Sequence, residues 1–374
     1  MNVAPLRIAI LGLSITSAWG NGHATTWRAL VRAFARRGHE VTFLERDVPW
    51  YAANRDLSEP PFCRTFLYRS LDELRTGFAR LLREADVVIL GSFVPDGVAV
   101  GGLALETARG LVAFYDIDTP VTLARLGRGE EGYLSRALIP RFDLYLSFTG
   151  GPTLGRLEKV YGARMARPLY CAVDPDLHFP DCVPVDVDLG YLGTYSADRQ
   201  EKLDALLIEA ARAWPAGRFA VAGPQYPDDI GWPQNVCRIE HLPPAAHRGF
   251  YNSHRYTLNL TRADMAEAGF SPSVRLFEAA ACGTPIISDA WAGIETFFRP
   301  GEEILLARTG DEVLTYLQHI PDDRRRALGA AARERVLAAH TADHRAAELE
   351  AHIAEAAERR ARGRRASRLE PSGS

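Results

Sequence analysis

Arg275 and Glu278 are the two charges in SPSVRLFEAAACGTPIIS (Ser271–Ser288), a stretch otherwise composed for burial. With Ser271 as N-cap, Pro272 at the first helical position and Gly283 as the stop, it reads as an amphipathic helix followed by a short apolar strand. Val274, Phe277 and Ala281 share the apolar face; Ser271, Arg275 and Glu278 share another. The order is free backbone N–H groups around Ser273 and Val274, then a cation, then a carboxylate. A nucleoside diphosphate wants that order: phosphate oxygens at the helix start, ribose hydroxyls on the carboxylate. A surface ion pair at i,i+3 accounts for the same two residues equally well.

Three further stretches carry groups able to do chemistry. GLSITSAWGNGHATTWRAL (Gly12–Leu30) joins a strand to a helix through a loop of about a dozen residues, longer than usual for such a connection. Gly20, Asn21 and Gly22 form a bend suited to an acceptor or sugar, and His23 stands at the helix entrance as a base or a sugar contact. FYDIDTP places Asp116 and Asp118 at the end of a strand, where a carboxylate orients an imidazole or accepts a proton; Asp118 before Thr119–Pro120 is also a natural N-cap. In GTYSADRQEKL, Gly193 allows a tight turn, Thr194 donates to phosphate, and Arg199 offers a fixed charge to a departing diphosphate. Lys202 is a weaker candidate of the same kind. Asp174 and Asp176 resemble a metal motif but fall in a linker, so no metal is expected.

These loops need a scaffold, and the chain alternates short apolar runs with helical periodicity, as parallel α/β sheets do. Strands are predicted at Arg7–Leu13, Glu40–Glu45, Asp86–Gly91, Leu111–Asp116 and Asp143–Phe148, then at Val187–Gly193, Arg218–Gly223, Tyr256–Thr261, Thr284–Ser288 and Glu303–Ala307. The expected architecture is two Rossmann-like doubly wound domains facing across a cleft: residues 1–172 on the acceptor side, a linker at 173–186, and a nucleotide-sugar domain at 187–340. A closing helix at 341–360 and a disordered basic tail at 361–374 follow. Ligands in such sheets bind beyond the carboxyl ends of the strands, which is where the candidate loops fall.

SPSVRLFEAAACGTPIISD closely resembles the nucleotide-binding segment of GT-B glycosyltransferases of the CgeB-like branch. WGNGHATTWRALVRAFARRGHEVTFLERDVPWY, CAVDPDLHFP and LGYLGTYSADRQ are similar to the opening, crossover and first donor-domain turn of that branch. The resemblance implies hexosyltransferase-like transfer of a sugar from a nucleoside-diphosphate donor, with no further cofactor. It also implies His23, Asp116 and Asp118 as catalytic groups, and Gly193, Thr194, Arg199, Ser273, Val274, Arg275 and Glu278 around the donor. Retaining members often carry a Glu-x7-Glu pair; Glu278 matches the second glutamate, while the first falls on Phe270. The helix resembles the retaining type, whereas a His–Asp pair is what inverting members use.

Composition bounds the alternatives. A net charge of −3 gives no global attraction to nucleic acid, and no apolar run is long enough for a membrane span. Five scattered cysteines without a secretory leader suggest a reducing, cytoplasmic setting. A dinucleotide oxidoreductase would want G-x-G-x-x-G after the first strand, and Gly12, Gly20 and Gly22 do not form it, although Glu45 is placed to hold a ribose. An epimerase, or a nucleotide-sugar-binding protein without transferase activity, shares the expected fold.

Overall fold

The computed structural model describes residues 4–20 and 22–369, with side chains to 363. Asn21 and residues 370–374 of the expected tail lie outside the described residues. The chain divides into two units, 1–170 with 343–374, and 171–342.

The first unit is built on a seven-stranded, wholly parallel sheet. Its strands are β1 (Arg7–Gly12), β2 (Glu40–Arg46), β3 (Arg64–Tyr68), β4 (Val87–Gly91), β5 (Leu111–Asp116), β6 (Leu144–Ser147) and β7 (Ala166–Pro168), in the order β3-β2-β1-β4-β5-β6-β7. β1, β4 and β5 lie inside the sheet and are almost completely buried, which explains their unbroken apolar runs. The order reverses between β1 and β4, so the loops after these strands define the sheet's switch point.

The second unit carries a six-stranded parallel sheet, in the order β10-β9-β8-β11-β12-β13. Here β8 is Val187–Leu192, β9 Phe219–Ala222, β10 Val236–Ile239, β11 His254–Asn259, β12 Ile286–Ser288 and β13 Leu305–Leu306. β8 pairs with both β9 and β11, again placing a switch point where the sequence puts its phosphate turn.

The last helix runs Ala342–Leu369, beyond Arg360, where the sequence analysis ended it. Residues 361–369, expected as disordered tail, continue the helix, which is tied to the first unit at Glu350 and Arg360. Glu350 accepts from Arg37 Nε and Nη2 at 2.5 and 2.6 Å and lies 2.8 Å from His39 Nε2. His39 Nδ1 in turn accepts from the Leu6 backbone N–H at 3.1 Å, which leaves the ring hydrogen on Nε2. Further along, Arg360 donates to the carbonyl of Gly110 and, at 3.2 Å, to Asp143. Among the described residues, no helix is long and apolar enough to cross a membrane.

Candidate active site

In the first unit, the loop after β1 delivers His23 as the first residue of the helix His23–Arg36. The loop is anchored from beneath by Glu45, on β2, which has none of its surface exposed. Its carboxylate accepts from the backbone N–H groups of Ile15 and Thr16 at 2.7 and 3.0 Å and from the Thr16 hydroxyl at 2.7 Å. Arg28 adds a second tether, donating to the Ile15 carbonyl at 2.8 Å and, bidentately, to Asp56. Gly20 adopts φ +66°, a left-handed conformation that favours glycine. Glu45 therefore spends its oxygens on the loop, which removes the ribose role that an oxidoreductase would give it.

His23 Nε2 lies 3.0 Å from Asp118 Oδ2, and both side chains are largely buried. The imidazole edge meets the Phe93 ring at 5.5 Å, and Phe93 holds φ +61°, a conformation a bulky residue keeps only where its surroundings enforce it. Among the described residues His23 Nδ1 is buried without a hydrogen-bond partner, so one ring nitrogen is oriented by a carboxylate and the other is open. That is how a general base or a sugar contact is prepared.

Asp116 is not part of this pair. It is wholly buried, accepting from Tyr145 at 2.6 Å, from Thr122 at 2.7 Å and from the backbone N–H of Asp118 at 3.3 Å. Burial pushes its carboxyl up to about 7 against these hydrogen bonds. Its hydrogen bond to the Asp118 backbone makes it the group that shapes the turn carrying the pair.

In the second unit, the chain turns sharply after β8 at Gly193. A Cβ there would fall 2.6 Å from the Tyr191 hydroxyl and 2.9 Å from Arg275 Nη2, so the position admits only glycine while the guanidinium keeps its place. Arg275 lies over the Tyr191 ring at 4.9 Å, donates to the Leu192 carbonyl, and reaches Asn259 Oδ1 at 2.9 Å. It does not pair with Glu278, because its guanidinium is turned toward the ends of β8 and β11. The helix spans Val274–Ala281, and its N-cap is Ser273, whose hydroxyl accepts from the Arg275 N–H at 3.2 Å. Ser271, expected in that role, is buried two residues earlier, and the Pro272 carbonyl is taken by the Cys171 thiol at 3.3 Å.

Arg199 donates to the Thr194 carbonyl at 2.5 Å across the same turn. Burial and the neighbouring Arg275 charge lower its pKa. Among the described residues neither Arg199 nor Arg275 has a carboxylate partner within 4.0 Å. Lys202, by contrast, is neutralised by Asp289 at 2.6 Å and also donates to the Thr261 carbonyl at 3.0 Å. Two guanidiniums thus stand at one turn with no carboxylate partner among the described residues, an arrangement that suits an anion.

Glu278 lies deeper, 3% exposed, and accepts from the Tyr251 hydroxyl at 3.0 Å. His178 and His247 stand beside its carboxylate, at 3.8 and 3.9 Å. Sequence reasoning missed both histidines: one is in the crossover segment and the other in the helix Pro244–Asn252, without any ligand spacing to mark them. Phe270 occupies φ +48° between Gly269 and Gly293, where a Cβ on Gly293 would fall 2.5 Å from its ring. An aromatic ring, not a carboxylate, is thus built into that position.

Residues 199–351 match the family described as glycosyl transferase-like. No curated protein matches the chain in sequence. Among solved structures, sucrose-phosphate synthase from Thermosynechococcus elongatus is 16% identical, with 94% of this chain and 98% of that chain covered and a TM-score of 0.67. HepE from Anabaena, in complex with UDP and glucose, is 11% identical over 94% of this chain and 100% of its own, with a TM-score of 0.69. An alpha-glucosyltransferase in complex with UDP-glucose and DNA containing an abasic site is 14% identical over 94% and 100%, with a TM-score of 0.71. The two parallel-sheet, Rossmann-like domains are a GT-B fold.

Proposed function

We propose that the chain is a glycosyltransferase of the CgeB-like branch that moves a hexose-class sugar from a nucleoside-diphosphate donor to an acceptor, with retention at the anomeric carbon. The observation that carries this reading is the pair Arg199 and Arg275, two guanidiniums beside the glycine turn after β8 that have no carboxylate partner among the described residues. Charge grows on the diphosphate as the glycosidic bond breaks, and fixed cations that meet it there lower the barrier. Thr194, Ser273 and Val274 complete the phosphate contacts with backbone and hydroxyl donors. Neutralising the diphosphate in this way needs no metal on it. Solved relatives of the fold hold UDP or UDP-glucose, which makes UDP-glucose the first donor to try.

The His23–Asp118 contact favours a second reading of the stereochemistry, in which His23 takes the acceptor's proton and the anomer inverts. Incubating the protein with a panel of nucleotide sugars, with and without candidate acceptor glycans, tests the proposal. Release of free nucleotide that rises with an acceptor is expected, and the product anomer decides between the readings. Nucleotide-sugar binding with no nucleotide released under any pairing would instead mark a binding protein.

A further inference from the structure

His23 and Asp118 stand on two different loops, and one side chain reaches both. Tyr133 follows the exposed residues 127–132 and is itself buried. Its ring lies 4.4 Å from that of Phe93, the ring that meets His23 at 5.5 Å. Its hydroxyl lies 2.6 Å from Thr122 Oγ1, and Thr122 donates to Asp116 Oδ1 at 2.7 Å. The same Asp116 oxygen accepts from the Asp118 backbone N–H at 3.3 Å. With the 3.0 Å contact between His23 and Asp118, these contacts close a ring of side chains through the first unit.

The polar links have a defined sense. Thr122 has one hydroxyl hydrogen, and it goes to Asp116, the nearer acceptor; the other, the Asp118 carbonyl, is 3.3 Å away. Tyr133 therefore supplies the hydrogen between the two hydroxyls. Burial, and after it the Asp116 charge, raise the Tyr133 pKa, which keeps that hydrogen in place. The backbone of Tyr133 is fixed as well. A Cβ on Gly97, the first residue of the helix Gly97–Thr107, would fall 2.4 Å from the Tyr133 carbonyl oxygen, so the helix start is pressed against it. Phe93 holds φ +61° with its ring between Tyr133 and His23. Two routes thus leave one residue, an apolar one ending on His23 and a polar one ending on the turn of Asp118.

We propose that Tyr133 is a positioning residue for the transfer reaction. It sets the His23–Asp118 contact from both sides, through Phe93 on the imidazole and through Thr122 and Asp116 on the carboxylate. A carboxylate only accepts, so the contact selects the tautomer with its hydrogen on His23 Nε2 and leaves the lone pair on Nδ1. A base or sugar contact works only when the atom that meets the substrate is held in place, and small misplacements are costly. The catalytic consequence rests on the transferase reading; the ordering of the pair is a property of the protein without substrate. No motif marks Tyr133 in the sequence, because its two partners come from different loops.

The test is the tautomer of neutral His23, read without substrate from long-range ¹H–¹⁵N correlations of the full-length protein and assigned by the signal lost in His23→Gln. A single Nε2–H tautomer is expected in the wild type. Tyr133→Phe and Thr122→Val break the polar route at successive links and leave the ring contact in place, so each should give a tautomer mixture. Turnover of UDP-glucose should fall about 10–100-fold in each, with UDP affinity unchanged. The double variant should lose no more than either single one, because the links act in series. A purely structural Tyr133 predicts an unmoved tautomer and unchanged turnover in Tyr133→Phe, and that result overturns the proposal, as do losses that add. Where Tyr133→Phe does not fold, Thr122→Val decides alone. An active transferase whose His23 tautomer is unmoved by these variants refutes the positioning role alone. A tautomer that shifts as expected in a protein inert toward every nucleotide sugar refutes the transferase reading alone.

Discussion

A carboxyl group with no exposed surface must be neutral or surrounded by donors, and Asp116 sits on the boundary between these solutions. Its folded pKa of about 7 lies above the ordinary 3.8, so the folded protein holds this proton more tightly than the unfolded chain. The associated stability is complete below about pH 4 and is lost as pH rises through 7. Denaturant midpoints taken at pH 5 and pH 8 should therefore fall for the wild type and change less for Asp116→Asn; equal slopes would contradict this reading of the site. His23 makes a sharper demand. As a general base its replacement by alanine should cost about 10²–10⁴ in turnover, and a much smaller loss would reduce it to a sugar contact. Arg199→Ala should lower turnover more than it weakens binding of the intact donor, because its charge is matched to the leaving diphosphate. Equal losses in both would make it an ordinary binding residue.

At the scale of elements, the loop after β1 depends on a carboxylate with no exposed surface, that of Glu45. Glu45→Gln replaces one acceptor by an N–H₂ facing backbone donors, a change costing about 1–3 kcal/mol. Hydrogen exchange across residues 13–20 should rise and turnover should fall, while UDP affinity stays unchanged; a rigid loop in this variant would refute the anchor. Such anchoring was not legible beforehand, since Glu45 reads as a ribose ligand until Ile15 and Thr16 are seen on its oxygens. The interior strands were legible, because burial on both faces leaves continuous apolar runs. β3, β7 and β10 were not predicted: each lies at a sheet edge, β3 is mostly exposed, and β7 has three residues. The Arg275–Glu278 question was half legible. Their type and spacing suggested a site, but only the fold shows Arg275 turned to the β8 turn and Glu278 turned to two histidines.

For the whole molecule, the chain leaves the first unit after Tyr170 and rejoins it from Asp343, so the first unit is completed by the last helix. Glu350, 4% exposed, is the clasp, holding Arg37 and His39 together. Glu350→Ala should destabilise the protein by about 3 kcal/mol, since it strands a buried imidazole and a partly buried guanidinium; a loss under about 0.5 kcal/mol would show the helix held by its apolar contacts alone. In the proposed reaction, Arg275 and the turn after β8 receive the nucleoside diphosphate. Calorimetric titration of UDP into the wild type and into Arg275→Ala, with folding checked by circular dichroism, tests it most directly. Saturable UDP binding that weakens at least tenfold in the variant is the predicted result, while wild-type affinity retained by a folded Arg275→Ala would contradict it.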